Sequence, residues 1–511
     1  MKFRPLVASV TLVTAATLIL SGCAGQSGNA NSGGSGAAGA TLTLGSVSNI
    51  TSFDPAQAHL GHQMPIYQAA YDTLILREPD GTLSPMLATE WKYNADNTVL
   101  TVDLRDDVTF SDGAKFDAEA AKANLDHFLE ANGPDANQAK SVESVAVVDE
   151  DTIDITLSAA DPAMTYYLSQ APGLMGSPKA LGSDGIKTAP IGSGPYVLDP
   201  ASSVNGSQFT FTKNDKYWNK DLQKYGKVVF KILTDTTARA NAAVSGQVDA
   251  VLLDPTTTQQ ADKAGLKKTA YPVDWQGLLL FDRGGAVAPE LEDVRVRQAI
   301  NYALDRKTML EELQHGEGEA TAQVFGKTTD AYIPALDDAY PYDPAKAKQL
   351  LADAGYPDGF TISLPMLPGT ESILAMVKQQ LADVGITVDL ATSPQATYVS
   401  DIIAGKFPVA WFSIFQGEPW VAIRQMITTD AAYNPFKTTD PGLQADIDAV
   451  QTGGEESGKL AQKVNQYVTD EAWFAPFYRV NQLYYTNPKK VTVVPQVQQA
   501  VPNLYNYTPA S

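Results

Sequence analysis

The chain has 511 residues, of which 58 are acidic and 37 basic, giving a formal net charge of −21. So acidic a surface excludes the nucleic-acid binders, which need a basic patch. A single cysteine excludes an internal disulfide, so stability rests on hydrophobic cores, and the length suffices for two or three of them.

The chain opens with Lys2 and Arg4, followed by an uncharged apolar run over residues 6–20. A basic start and so short an apolar stretch predict an export signal rather than a spanning helix, which needs about 20 apolar residues. The run ends in Leu20-Ser21-Gly22-Cys23, which resembles the lipobox of bacterial lipoproteins. That resemblance implies cleavage after residue 22, lipidation of Cys23 and a mature N-terminus there. Residues 24–40 are almost entirely Gly, Ser, Ala, Asn and Gln, too polar to bury a core. As a flexible tether they span roughly 20–25 Å.

From residue 41 the texture is that of a mixed α/β chain. Leu100, Val102 and Leu104 alternate with Thr101, Asp103 and Arg105, the pattern of a half-buried strand. Val145 and Val147, then Ile153, Ile155 and Leu157, flank Asp149-Glu150-Asp151 and predict a hairpin. Asp343-Pro344 is an N-cap followed by proline at the first helical position, and that helix ends at Gly355. Ile373, Val377, Leu381 and Val384 recur at helical spacing up to Gly385, after which Ile386, Val388 and Leu390 begin a strand.

Six stretches carry a family resemblance. They are Tyr71-Asp72-Thr73-Leu74 with Pro85-Met86-Leu87-Ala88-Thr89-Glu90-Trp91; Leu104-Arg105-Asp106-Asp107-Val108-Thr109-Phe110-Ser111-Asp112-Gly113; Ile191-Gly192-Ser193-Gly194-Pro195-Tyr196; Asn214-Asp215-Lys216-Tyr217-Trp218; the run from Asp293 to Arg306; and Ala354-Gly355-Tyr356-Pro357-Asp358-Gly359-Phe360. In this order, over roughly residues 42–505, they resemble the family 5 solute-binding proteins, receptors of ABC importers. Most read as structural: Gly192, Gly194 and Pro195 as a tight turn, Asp293 as a helix cap, and Arg295 and Arg297 as anchors to carbonyls or carboxylates.

The resemblance implies an α/β, two-lobe periplasmic-binding-protein fold, type II and cluster C-like, with an extra subdomain in the first lobe. Residues 1–22 are then signal peptide and 23–40 lipidated cysteine and tether. Lobe I is 41–70 with 191–281 and 481–511, the extra subdomain 71–190, and lobe II 282–480. Crossings between lobes are expected at residues 277–281 and 481–485. The implied partners are a small-molecule solute, an ABC permease, and the membrane through the lipid anchor, with no nucleic acid. The implied protein is a monomer without cofactor or metal, held outside the cytoplasm at the cell membrane or in a periplasm. Closure of the lobes on the solute needs no covalent chemistry. With no G-x-S-x-G, H-E-x-x-H or phosphate loop, an enzyme is not expected.

Ligand-contact candidates fall in four segments. His62, three residues from His59, reads as a polar contact, a surface residue or, with so few histidines in the chain, less readily a metal ligand. Trp275 and Gln276 precede the first crossing. Trp411, Phe415, Gln416 and Trp420 belong to the richest aromatic cluster, although Phe412 and Phe415 fit a strand core equally well. Tyr478 and Arg479 fall near the return crossing, where Arg479 suits either a ligand carboxylate or an internal ion pair. Asp282 and Arg283 stand either as ligand contacts or as an interlobe pair. Peptide-binding relatives place an aspartate three residues after the tryptophan matched by Trp411, to receive the ligand amine; this chain has Ile414 there. A buried ammonium without a counter-charge costs several kcal/mol. The aromatic and amide content then points to an oligosaccharide. An oligopeptide or dipeptide is the alternative, followed by a metal chelate, and a surface adhesin or scaffold is the reading from a different class.

Overall fold

The computed structural model describes residues 39–510. The expected export signal, Cys23 and the tether as far as residue 38 lie outside the described residues.

The first lobe is built on strand β1 (Thr41–Ser46), whose Leu42 and Leu44 are buried. Helix α1 (Leu60–Ala70) follows. The chain then forms a four-stranded antiparallel sheet from β2 (Ala88–Tyr93), β3 (Val99–Leu104), β4 (Val142–Val147) and β5 (Thr152–Leu157), in the order β2-β3-β5-β4. Leu100, Val102, Leu104, Ile153, Ile155 and Leu157 are all buried, as their alternation predicts, and residues 149–151 form the exposed turn.

The chain returns to β1 through β6 (Tyr196–Leu198), β7 (Gln208–Lys213), β8 (Lys227–Ile232) and β9 (Ala250–Leu253). Next comes β10 (Lys267–Leu280), a 14-residue strand that leaves the first lobe. The second lobe holds α2 (Val294–Tyr302), α3 (Arg306–Gln314), β11 (Gly318–Ala320), α4 (Pro344–Asp353), β12 (Phe360–Met366), α5 (Glu371–Ala382), β13 (Ile386–Thr392) and α6 (Tyr398–Ile403). It continues with β14 (Val409–Phe415), α7 (Pro419–Met426), α8 (Pro441–Thr452) and α9 (Ser457–Asp470), before β15 (Phe474–Thr486) carries the chain back. The cap signals act as read: Asp293 accepts from Arg295 N–H, and Asp343 accepts from Lys346 N–H with Pro344 following it.

One nine-stranded sheet, ordered β14-β10-β15-β9-β1-β8-β7-β6 with β11 also on β15, runs through both lobes. The two crossings are β10 and β15 themselves, paired antiparallel from Lys267↔Thr486 to Leu279↔Phe474. They are longer than the sequence suggested. β10 already pairs with β14 at Asp274, and its register on β15 slips between Pro272 and Asp274. Pro272 carries no N–H, so the ladder loses a rung there.

Two of the family motifs meet at one buried carboxylate. Asp72, fully buried, accepts from Tyr217 Oη and Trp218 Nε1, each at 2.9 Å, and from Tyr505 Oη at 3.2 Å. Burial lifts its pKa to about 6, while these donors and Ser193 pull it down. Gly192 and Gly194 act by close approach and not by an unusual turn conformation. A Cβ on Gly192 would lie 2.2 Å from the Ala70 carbonyl oxygen, and one on Gly194 2.5 Å from Tyr71 N. Arg297 is anchored as expected, donating to the carbonyls of Leu291, Glu292 and Glu471.

Candidate ligand site

β14 ends the main sheet, so one side of it has no strand partner. Hydrogen bonds to β10 fix which residues face that open side. Gln416 N–H donates to Val273 O at 2.9 Å and Phe281 N–H to Pro408 O at 2.9 Å. Residues 412 and 414 therefore point their main-chain groups at β10, and residues 411, 413 and 415 point theirs outward. The Trp411 carbonyl is taken by Tyr398 Oη at 2.8 Å. The main chain of Ser413, an exposed residue, and of Phe415 remains on the open edge.

Charged groups flank this edge. Asp274 stands opposite Phe415 across the β10–β14 ladder. Burial pushes its pKa up to about 6. Beyond Phe415, Gln416 donates to Val324 O at 2.9 Å, which pins the loop to the second lobe. Glu418 then stands at the N-terminal boundary of α7 without a capping hydrogen bond from its side chain, and its pKa is raised by burial against the opposing pull of Arg77. Arg77, from the extra subdomain, reaches to within 3.8 Å of Glu418. Its guanidinium also donates to Val497 O at 2.8 Å and to Gln498 Oε1, and lies over the Tyr166 ring.

The lobes are in contact in this structure. Arg424 of α7 pairs with Asp161 at 3.1 Å, Gln451 donates to Ala160 O at 3.0 Å, and Asn97 donates to Thr452 O at 3.2 Å. These contacts leave a cavity of about 500 Å³ between Trp91, Tyr93 and Asn97 on one side and Gln451 and Glu455 on the other.

The sequence candidates are dispersed around this seam. Trp275 and Trp420 are buried in the same core as Met426 and Val464, and the Nε1 of each has no acceptor. Ile414 sits beside Trp275 on the ladder and is equally buried. Phe412 is a core residue packed on Tyr398 and Tyr433, whereas Phe415, Trp411 and Gln276 are half-buried on the opposite face of the strands. Tyr478 lies in the second lobe's core with its hydroxyl against Gln314. Arg479 is fully buried and takes the ion-pair alternative, binding Asp337 at 2.7 Å and Phe325 O at 3.1 Å. A guanidinium so enclosed by its own lobe is not presented to a ligand. Asp282 and Arg283 are internal too: Asp282 accepts from the N–H groups of Ala286, Val287 and Ala288, and Arg283 binds Leu280 O and Asn434 and stacks on Trp473. His62 lies in the first lobe beside Ser46, Val47 and Tyr484, with its pKa lowered by burial and by Arg239. His59 turns away to Asp135 at 2.9 Å.

Sequence reasoning missed Asp274, Glu418 and Arg77. A usable signal existed for one of them: Asp274 is the one acid of β10, set between Val273 and Trp275.

Two lobes joined through adjacent strands of one sheet, an extra subdomain on the first, and an unfilled strand edge at the seam define a type II periplasmic-binding-protein fold. The chain belongs to family 5 of the bacterial extracellular solute-binding proteins, whose middle region it matches over residues 82–432. It is the substrate-binding component of an ABC importer. Among curated relatives, the glutathione-binding protein GsiB of Salmonella paratyphi A is 31% identical over 352 residues, covering 66% of this chain and 67% of the relative. The protein of that name from Pectobacterium atrosepticum is 28% identical over 476 residues, covering 87% and 89%. Among solved structures, NikA from Brucella suis, in complex with Fe(III)-EDTA, superposes with a TM-score of 0.78 at 25% identity, covering 92% of this chain and all of that one. HbpA2 from Haemophilus parasuis gives 0.80 at 21% over the same shares, and shares the fold. Family members are extracytoplasmic, and among the described residues no helix is long and apolar enough to cross a membrane.

Proposed function

We propose that this receptor captures a short peptide of about glutathione's size and passes it to its permease. The observation that carries this reading is the open β14 edge at Ser413 and Phe415. An extended peptide offers alternating N–H and C=O groups that complete such an edge, with affinity drawn from main-chain bonds. The sugar reading needs open aromatic faces. Of the aromatics expected to supply them, Trp275 and Trp420 are enclosed in the core and Trp411 and Phe415 are half-buried, so the oligosaccharide preference gives way to the peptide alternative. Glutathione-binding relatives at 31% identity support the same choice.

The reading is tested by titration calorimetry with reduced glutathione, a tri- to pentapeptide panel, malto-oligosaccharides and nickel chelates. Saturable binding in the peptide arm alone is the expected result. A Ser413→Pro variant removes one outward N–H while leaving the inward ladder intact, and edge strands tolerate proline. It should weaken peptide binding by about tenfold, as expected for one hydrogen bond. Binding of sugars or chelates but not peptides would overturn the reading.

A further inference from the structure

The cavity between the extra subdomain and the second lobe is not used by the peptide reading. Its volume of about 500 Å³ falls in the range of small-molecule sites, roughly 300–1,000 Å³. None of β1, α1, β10 or β14 contributes to its wall. It shares no residue with the peptide edge, so the failure of either site leaves the other standing. We propose that this cavity binds a small organic amine with an apolar body, held between the subdomain and the second lobe.

The chemistry of the wall selects that class. Trp91 and Tyr93 stand two residues apart on β2, the edge strand of the four-stranded sheet, so both rings lie on one pleat face. Both are half-buried and both line the cavity. Asn97, at the β2–β3 turn, and Gln451, near the end of α8, each spend an amide N–H on a carbonyl across the seam, Thr452 O and Ala160 O. Among the described residues no donor reaches the oxygen of either amide, so each keeps a free acceptor. Asp161 also lines the cavity, but its charge is already met by Arg424 at 3.1 Å, Ser141 Oγ at 2.7 Å and the Ala163 N–H at 3.1 Å. Glu455, in the link between α8 and α9, is exposed at the wall and has no ion-pair partner among the described residues. Lys92 borders the cavity too, but strand alternation sets its side chain on the pleat opposite Trp91 and Tyr93.

Two ring faces, two bare amide oxygens and one unpaired carboxylate all call for a positive group rich in N–H donors. An ammonium is attracted to the face of a ring and makes a charge-assisted hydrogen bond to a carboxylate. The apolar body of the same molecule covers the remaining ring surface. Because the subdomain and the second lobe each supply part of the wall, an occupant touches both and favours their closed arrangement.

The probe is phenethylamine, titrated into the whole protein by calorimetry, with N-acetylphenethylamine as its uncharged counterpart. The expected result is one saturable site for the amine, with the acetylated compound weaker by about tenfold or more. Glu455→Gln should erase that preference, and Trp91→Leu should weaken both compounds. Arg424→Glu, which sets like charges across the seam, should abolish binding. Saturating amine should also make the particle more compact in small-angle scattering. An unfolding midpoint of Glu455→Gln equal to that of the wild type verifies that the variant folds. Absence of saturable amine binding overturns the proposal, as does equal binding of the two compounds. A preference that persists in Glu455→Gln, or amine binding undiminished in Arg424→Glu, also overturns it, by placing the amine elsewhere.

Discussion

Asp72 offers the sharpest quantitative test of how this molecule is assembled. Its carboxylate holds Tyr217, Trp218 and Tyr505, which join the start of the extra subdomain to the first lobe and to the C-terminal segment. Asp72→Ala leaves three buried donors without an acceptor, and breaking such a charged node costs about 3–5 kcal/mol. Asp72→Asn isolates the charge. The folded pKa of about 6 lies above the ordinary value of 3.8. Below pH 3.8 the acid is neutral in both folded and unfolded chains. Between 3.8 and 6 the unfolded chain ionises first, the folded chain binds the excess proton, and stability falls as pH rises. Above 6 the loss is complete, at about 3 kcal/mol for a shift of this size. Urea unfolding of wild type and Asp72→Asn, followed by circular dichroism from pH 4 to 7, cancels the other titrating groups. The stability difference should move in favour of the variant by about 3 kcal/mol across that window. A difference flat with pH, or an Asp72→Ala variant within about 1 kcal/mol of the wild type, would refute the reasoning.

Three further substitutions probe the frame. Gly194→Ala places a Cβ 2.4 Å from the Ala70 carbonyl carbon, so it should destabilise by about 1–3 kcal/mol or more in the same assay; an unchanged midpoint would contradict the close approach. Arg424→Glu faces Asp161 with a like charge across the lobes. It should weaken ligand binding by about tenfold and enlarge the unliganded particle in small-angle scattering, with little change in unfolding midpoint. Arg479→Met removes the cation from Asp337, which keeps Thr321, Gln323 and Tyr332 as donors, and should cost about 1.5–3 kcal/mol of stability. Loss of ligand affinity with stability intact would instead return Arg479 to the site.

The elements with a local cause were legible in the sequence. The alternation in β3 and β5, the Asp343-Pro344 cap and the glycine that ends α5 depend on neighbours a few residues apart, and each appears as read. The ligand site was legible only in outline. An aromatic cluster signals that rings gather around residue 411, but strand register decides which rings turn inward, and that depends on β10, more than 130 residues earlier. Trp275 and Gln276 are adjacent in sequence and lie on opposite faces of the same strand. Arg479 carries the same chemistry in either role. Only the nearness of Asp337, brought in by a distant loop, selects between them.

The joint between the lobes is a two-stranded ribbon, and this constrains how the protein can open. Hinges made of loose coil swing freely. A ladder of cross-linked rungs instead resists shear and yields by twisting, in the manner of a torsion spring. The weakest points are the two register slips, between Pro272 and Asp274 and between Gln276 and Gly277, so the angular travel concentrates there while the rest of the ribbon keeps its amides protected from exchange. The restoring torque stored on either side of those rungs would then set how quickly the lobes part after delivery.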